Sequence, residues 1–250
     1  MSDFNRSYPR PAPAGAADMA VDAGLRGFML GVYNKLALGL VVAAVLAYLT
    51  SAYPPVMHML YLTTPDGRLA GFTALGGIVR FAPLLILLAA MFGMRNPSPA
   101  ASGILYWAIV STIGAGLGVW LLIYTQTSVA MTFLITAAGF GILSLVGYTT
   151  KRDLTGLGSF LIMGVWGLIA ASLVNIFLHI PGFNMIISVI GTLIFAGLIA
   201  YDTQRLKLTY YQLGGDQAAM SVATNYGALS LFIDFINIFQ FLLSMFGARR

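Results

Sequence analysis

Ile194-Phe-Ala-Gly-Leu-Ile-Ala-Tyr-Asp-Thr-Gln-Arg-Leu206 and Ala228-Leu-Ser-Leu-Phe-Ile-Asp-Phe-Ile-Asn-Ile-Phe-Gln-Phe-Leu242 are apolar runs, each interrupted by one aspartate, Asp202 and Asp234. An ionised carboxylate at the centre of a membrane helix costs about 2.5–3.5 kcal/mol even on the lenient insertion scale. A chain that carries two must offset that by pairing, solvation or function.

The rest of the chain shows why these two stand out. Of 250 residues 59% are apolar and 8% charged, with a mean hydropathy of +0.87, whereas a soluble globule is about a quarter charged. The reading is an integral membrane protein of α-helices. None of the eight acidic residues is Glu, and the other six fall in the N-terminal stretch or between apolar runs.

Spans of about 20 apolar residues are expected seven times: Gly27 to Tyr53, Phe72 to Met94, Gly103 to Tyr124, Val129 to Tyr148, Gly156 to Leu178, Met185 to Leu206 and Tyr226 to Gly247. Turn-forming breaks separate them, such as Pro54-Pro55, Thr64-Pro-Asp-Gly67, Asn96-Pro-Ser-Pro99 and Pro181-Gly182. The long break from Lys207 to Asn225 is expected to hold an interfacial helix. Residues 1–24, rich in Pro, Ala and Gly, read as a disordered tail ahead of a single seven-helix domain over 25–250.

Orientation follows from the cations. With the tail in the cytoplasm, Arg6, Arg10, Arg26, Lys35, Arg95, Lys151, Arg152, Arg205 and Lys207 lie inside and only Arg68 lies in an outer loop. Arg80, within the second span, can snorkel outward. Arg249-Arg250 breaks the rule if the last segment crosses, which leaves a crossing helix and a re-entrant hairpin both open.

Under that topology Asp202 lies roughly 26 Å down from the outer surface of a ~30 Å core, near the cytoplasmic side, and Asp234 about 12 Å in from that side, a depth gap that helix tilt could close. They sit on consecutive antiparallel helices, so pairing is geometrically allowed. Two carboxylates meeting in an apolar setting titrate as a unit and make a proton-controlled switch. Arg205 follows Asp202 at i, i+3, and Ser230, Asp234 and Asn237 share one helix face. Arg95, at the end of the second span, is the other cation within reach. The plainer alternative for Asp202 is a helix-end residue satisfied by Arg205 or Lys207.

Other chemistries are weakly supported. The pI near 9.6 points to nucleic acid only where cations cluster on one wet face, and here they are scattered as topology signals. With no Cys and no Glu, thiolate chemistry and a His-Glu-x-x-His zinc site are excluded. Gly114-Ala-Gly-Leu-Gly118 has no preceding strand and reads as close helix packing, as do Gly27 and Gly31. Intramembrane aspartyl proteases pair aspartates on adjacent helices, but their Gly-x-Gly-Asp stretch is replaced here by Leu231-Phe-Ile-Asp234. No enzyme activity and no resident cofactor are expected.

Tyr148-Thr-Thr-Lys-Arg-Asp-Leu154, the stretches around Asp202 and Asp234 and Gly31-Val-Tyr-Asn-Lys35 together resemble the signature stretches of bacterial Bax inhibitor-1 (transmembrane Bax inhibitor motif) proteins over about residues 26–247. The resemblance implies six helices around a central seventh, and a pH-sensitive calcium leak controlled by a di-aspartyl pair, which would be Asp202 and Asp234. It also implies a multi-pass protein of the bacterial inner membrane. Ca²⁺ would be the transported ion, held weakly by the pair with Asn237. The alternative it carries is a regulator without transport activity that binds a membrane-bound protease. Phe81-Ala-Pro-Leu-Leu-Ile-Leu87 lacks the acidic residue that some relatives have in the second helix.

Overall fold

The computed structural model describes residues 14–65, 68–178 and 180–249. Its elements run α1 (Ala14–Ala52), α2 (Pro54–Leu60), β1 (Tyr61–Thr63), β2 (Leu69–Phe72), α3 (Ala74–Gly93), α4 (Pro99–Ile123), α5 (Gln126–Thr149), α6 (Thr155–Leu178), α7 (Phe183–Gln212) and α8 (Gln217–Phe246). Among the described residues seven helices, all but α2, are long and apolar enough to cross a membrane. The chain is an all-α membrane protein with seven spans.

Side-chain caps mark where several spans begin. Thr73, Ser98 and Thr125 accept from the backbone N–H three residues on, and Asp216 accepts from Ala218 and Ala219. Each satisfies donors that a helix N-terminus leaves free. At the start of α6 the Asp153 carboxylate accepts from the amide and hydroxyl of Thr155, and those bonds hold it below the usual carboxylate range.

Three loop expectations change. The backbone is helical from Ala14, inside the stretch expected as tail, while residues 1–13 lie outside the described residues. The break expected from Lys207 to Asn225 is mostly helix: α7 runs on to Gln212 and α8 starts at Gln217. The turn between them is tight because Gly214 and Gly215 adopt positive φ. Between the first two spans, where only a loop was expected, α2 leads into the antiparallel hairpin β1–β2, with Tyr61 opposite Phe72.

Half of the α8 span is buried, the largest share of any, against 6% for α3. α8 packs directly on α1, α4, α5 and α7, whereas α3 rests chiefly on α4 and α6 on α7. The seventh span is thus the most enclosed, with four of the other six laid directly on it. Small residues allow the tightest of these approaches. A Cβ at Gly114 would stand 2.6 Å from the Cα of Ala43, and one at Gly147 would collide with the Ala200 carbonyl. Gly27 meets nothing within 4 Å, so the packing role expected for it is not found.

α8 is continuous to Phe246, which removes the re-entrant hairpin. Its end is tied to the α4–α5 corner: Thr125 donates to the Ala248 carbonyl at 2.9 Å, Ala248 donates to Ser128 Oγ at 2.9 Å, and Arg249 lies over the Tyr124 ring.

Candidate functional site

α7 and α8 form an antiparallel hairpin, and their facing surfaces bring the two aspartates together. Asp202 is 5% and Asp234 4% exposed, so both are buried, and Asp202 has the Arg205 partner that its plainer reading expected. Both line one cleft of about 660 Å³ between α6, α7 and α8, with Leu87 of α3 on its rim. Arg205 lines that cleft with the two carboxyls.

The two are not equivalent. Asp202 accepts from the Ser230 hydroxyl on α8 through Oδ2. Through Oδ1 it pairs with Arg205 at 3.4 Å. Arg205 is half exposed and lies 5.7 Å from the Tyr201 ring, so it links the pair to the end of the bundle at the α7–α8 turn. Asp234 has no such company: its Oδ2 is buried without a hydrogen-bond partner on the protein. A buried polar atom without a partner costs about 1–3 kcal/mol, more if charged. Such a group is retained for what it does or for what it binds.

The remaining expected residues divide. Ser230, Arg205 and Asn237 line the cleft with the pair, and Asn237 donates to the Ile233 carbonyl one turn back at 2.8 Å. Arg95 is not part of the site. It is exposed, lies beyond the end of α3 and forms no ion pair among the described residues. Ser98, just before Pro99, is extended. Lys207, the alternative partner for Asp202, instead donates to the Tyr148 carbonyl at 3.1 Å.

Sequence reasoning missed the groups that hold this hairpin in place. Gln204 accepts from Leu154 N at 2.8 Å and donates to the Arg152 carbonyl at 2.7 Å, clamping the α5–α6 loop to α7. Lys35 of α1 donates to Asn225 Oδ1, and Asn225 donates to Ser102 Oγ at 2.7 Å and to the Pro99 carbonyl at 3.2 Å, joining α1, α4 and α8. The available signal was Lys35 and Asn225 themselves, each a polar residue at the edge of an apolar run. Among the described residues no three His, Cys, Asp or Glu side chains gather as a metal centre.

Comparison with known proteins bears on this arrangement. The family model described as inhibitor of apoptosis-promoting Bax1 matches residues 25–250. The chain is 64% identical to an uncharacterised protein of Caulobacter vibrioides along the full length of both. It is 40% identical to protein RP147 of Rickettsia prowazekii over 97% of this chain and 98% of that one. With the inner membrane protein YbhL of Escherichia coli it shares 37% identity over 91% of this chain and 94% of that one.

Proposed function

The chain belongs to the Bax inhibitor-1 family, and from that premise we propose that it is a pH-sensitive leak for calcium or a similar cation, gated by Asp202 and Asp234. The observation that carries the reading is the unpartnered Oδ2 of Asp234, buried in a cleft that a second carboxyl, Arg205, Ser230 and Asn237 also line. A proton shared between the carboxyls would hold α7 to α8, and a change in proton count would alter that hold. The open and closed populations would shift accordingly.

Calcium takes six to eight oxygens. The pair, Asn237 and Ser230 supply a loose subset of these, which suits an ion that must also leave. On this reading Ca²⁺ is cargo, with no resident cofactor and no catalytic residue. The membrane is the bacterial inner membrane, as in the name of the Escherichia coli relative. The cation asymmetry puts the N-terminal side in the cytoplasm.

The test is calcium efflux from liposomes carrying purified protein, across a pH series. Asp202→Asn and Asp234→Asn are expected to abolish the pH dependence. Variants whose flux follows the wild-type pH profile would remove the pair from the mechanism. A double variant that loses flux yet still modulates a membrane protease would assign a separate regulatory role to other surfaces.

A further inference from the structure

A second cavity, of about 370 Å³, opens at the opposite end of the bundle, beneath the β1–β2 hairpin and between α3, α4 and α8. It and the aspartate cleft share two walls. On α3, Pro83 lines the hairpin-side cavity and Leu87, one turn later, lines the cleft. On α8, Gln240 lines the former while Asn237 and Phe241 line the latter. On α8, Gln240 is six residues from Asp234, or about 9 Å at the helical rise.

Arg80 lines this hairpin-side cavity, with its guanidinium 5.0 Å from the Phe72 ring, and it forms no ion pair among the described residues. Arg80 and Gln240 each lie six residues inside the ends of their helices, Ala74 and Phe246, or about 9 Å deep at the helical rise. They thus stand at one level of the same space. That level is not hostile to a hydrated ion. Gln240 offers an amide oxygen, and Pro83 deprives the Val79 carbonyl of its helical donor. Arg80, an exposed side chain, is the one charged residue among those that line this cavity.

We infer that Arg80 is a charge barrier in the hairpin-side entrance, set in series with the aspartate gate, which holds cation flux low and discriminates against divalent ions. This rests on the leak reading above. A fixed charge changes the local concentration of an ion exponentially in the ion's own charge, so its effect on a divalent ion is the square of its effect on a monovalent one. Positive groups that exclude cations are an established device in pores.

The experiment measures potassium and calcium flux in parallel through wild type, Arg80→Gln and Arg80→Lys in liposomes at fixed pH. Arg80→Gln is expected to raise potassium flux about threefold and calcium flux about ninefold at low salt, with the difference shrinking as salt is added. Arg80→Lys is expected to stay at wild-type rates. Equal increases for both ions would mean a loosened fold rather than a removed charge, and unchanged rates would mean that Arg80 is off the path; either result overturns the assignment. Wild type that passes neither ion overturns the leak reading and this barrier with it.

Discussion

Ser230 stands one turn before Asp234 on α8, yet it donates its hydroxyl across the helix boundary to Asp202 on α7. With Arg205 on its other oxygen, Asp202 has a partner for each carboxylate oxygen, whereas the Oδ2 of Asp234 is buried with none on the protein.

Ser230→Ala removes that donor without touching either acid. A hydrogen bond to a charged group contributes about 1.5–3 kcal/mol, so the variant is expected to unfold at lower temperature in detergent. Its flux–pH profile is expected to move away from that of wild type, while Ser230→Thr keeps both. Coincident melting curves and profiles for Ser230→Ala and wild type would show that the hydroxyl does not support Asp202.

Arg205 and Arg95 separate by location. Arg205 is half exposed, so its ion pair contributes under about 1 kcal/mol to stability. Arg205→Gln should therefore melt close to wild type while its flux–pH profile is displaced. Arg95→Gln should leave both unchanged, since Arg95 does not reach the pair. A displaced profile for Arg95→Gln and none for Arg205→Gln would reverse the assignment.

Gly147→Val forces a side chain into the Ala200 carbonyl and is expected to destabilise the α5–α7 contact by about 1–3 kcal/mol. Gly27→Ala meets open space, so it should be neutral or raise stability by about 0.5–1 kcal/mol through helix propensity. Thermal unfolding of the two variants side by side checks the packing directly; a harmful Gly27→Ala would refute it.

Asn225→Leu removes the acceptor of the Lys35 ammonium and the donor to Ser102 Oγ and the Pro99 carbonyl at the junction of α1, α4 and α8. Leaving such groups without partners costs about 1–3 kcal/mol. The expected readout is a lowered melting temperature with the pH dependence of flux retained, because this junction is separate from the carboxylate cleft. A variant as stable as wild type would show that Asn225 contributes no net stabilisation.

The spans and the aspartate pair were legible because both are statements about solvent. Twenty apolar residues predict a crossing, and two acids in the inner half of adjacent antiparallel helices allow a meeting, before any contact is known. What stayed hidden depends on direction around a helix axis. Arg95 and Arg205 are equivalent as charges near one interface, and only the rotation of α7 and the course of the chain beyond α3 decide which of them meets Asp202. The α7–α8 turn was misjudged for a related reason. Lys207 to Asn225 is polar enough to read as a long break with an interfacial helix of its own, yet Gly214-Gly215 closes it in a few residues and lets both helices run past the apolar core. The hairpin β1–β2 gave no signal, because Tyr61-Leu-Thr63 and Leu69-Ala-Gly-Phe72 are too short for any alternation to declare itself.

The unbroken course of α8, finished by its tie to the α4–α5 corner, makes the number of crossings odd, so Ala14 and Arg249 belong to opposite compartments. A reagent that cannot permeate the bilayer therefore reaches one of these positions and not the other. Since the chain contains no cysteine, a thiol placed at either position would be the sole target on this protein, and labelling intact cells before purifying it would read out sidedness.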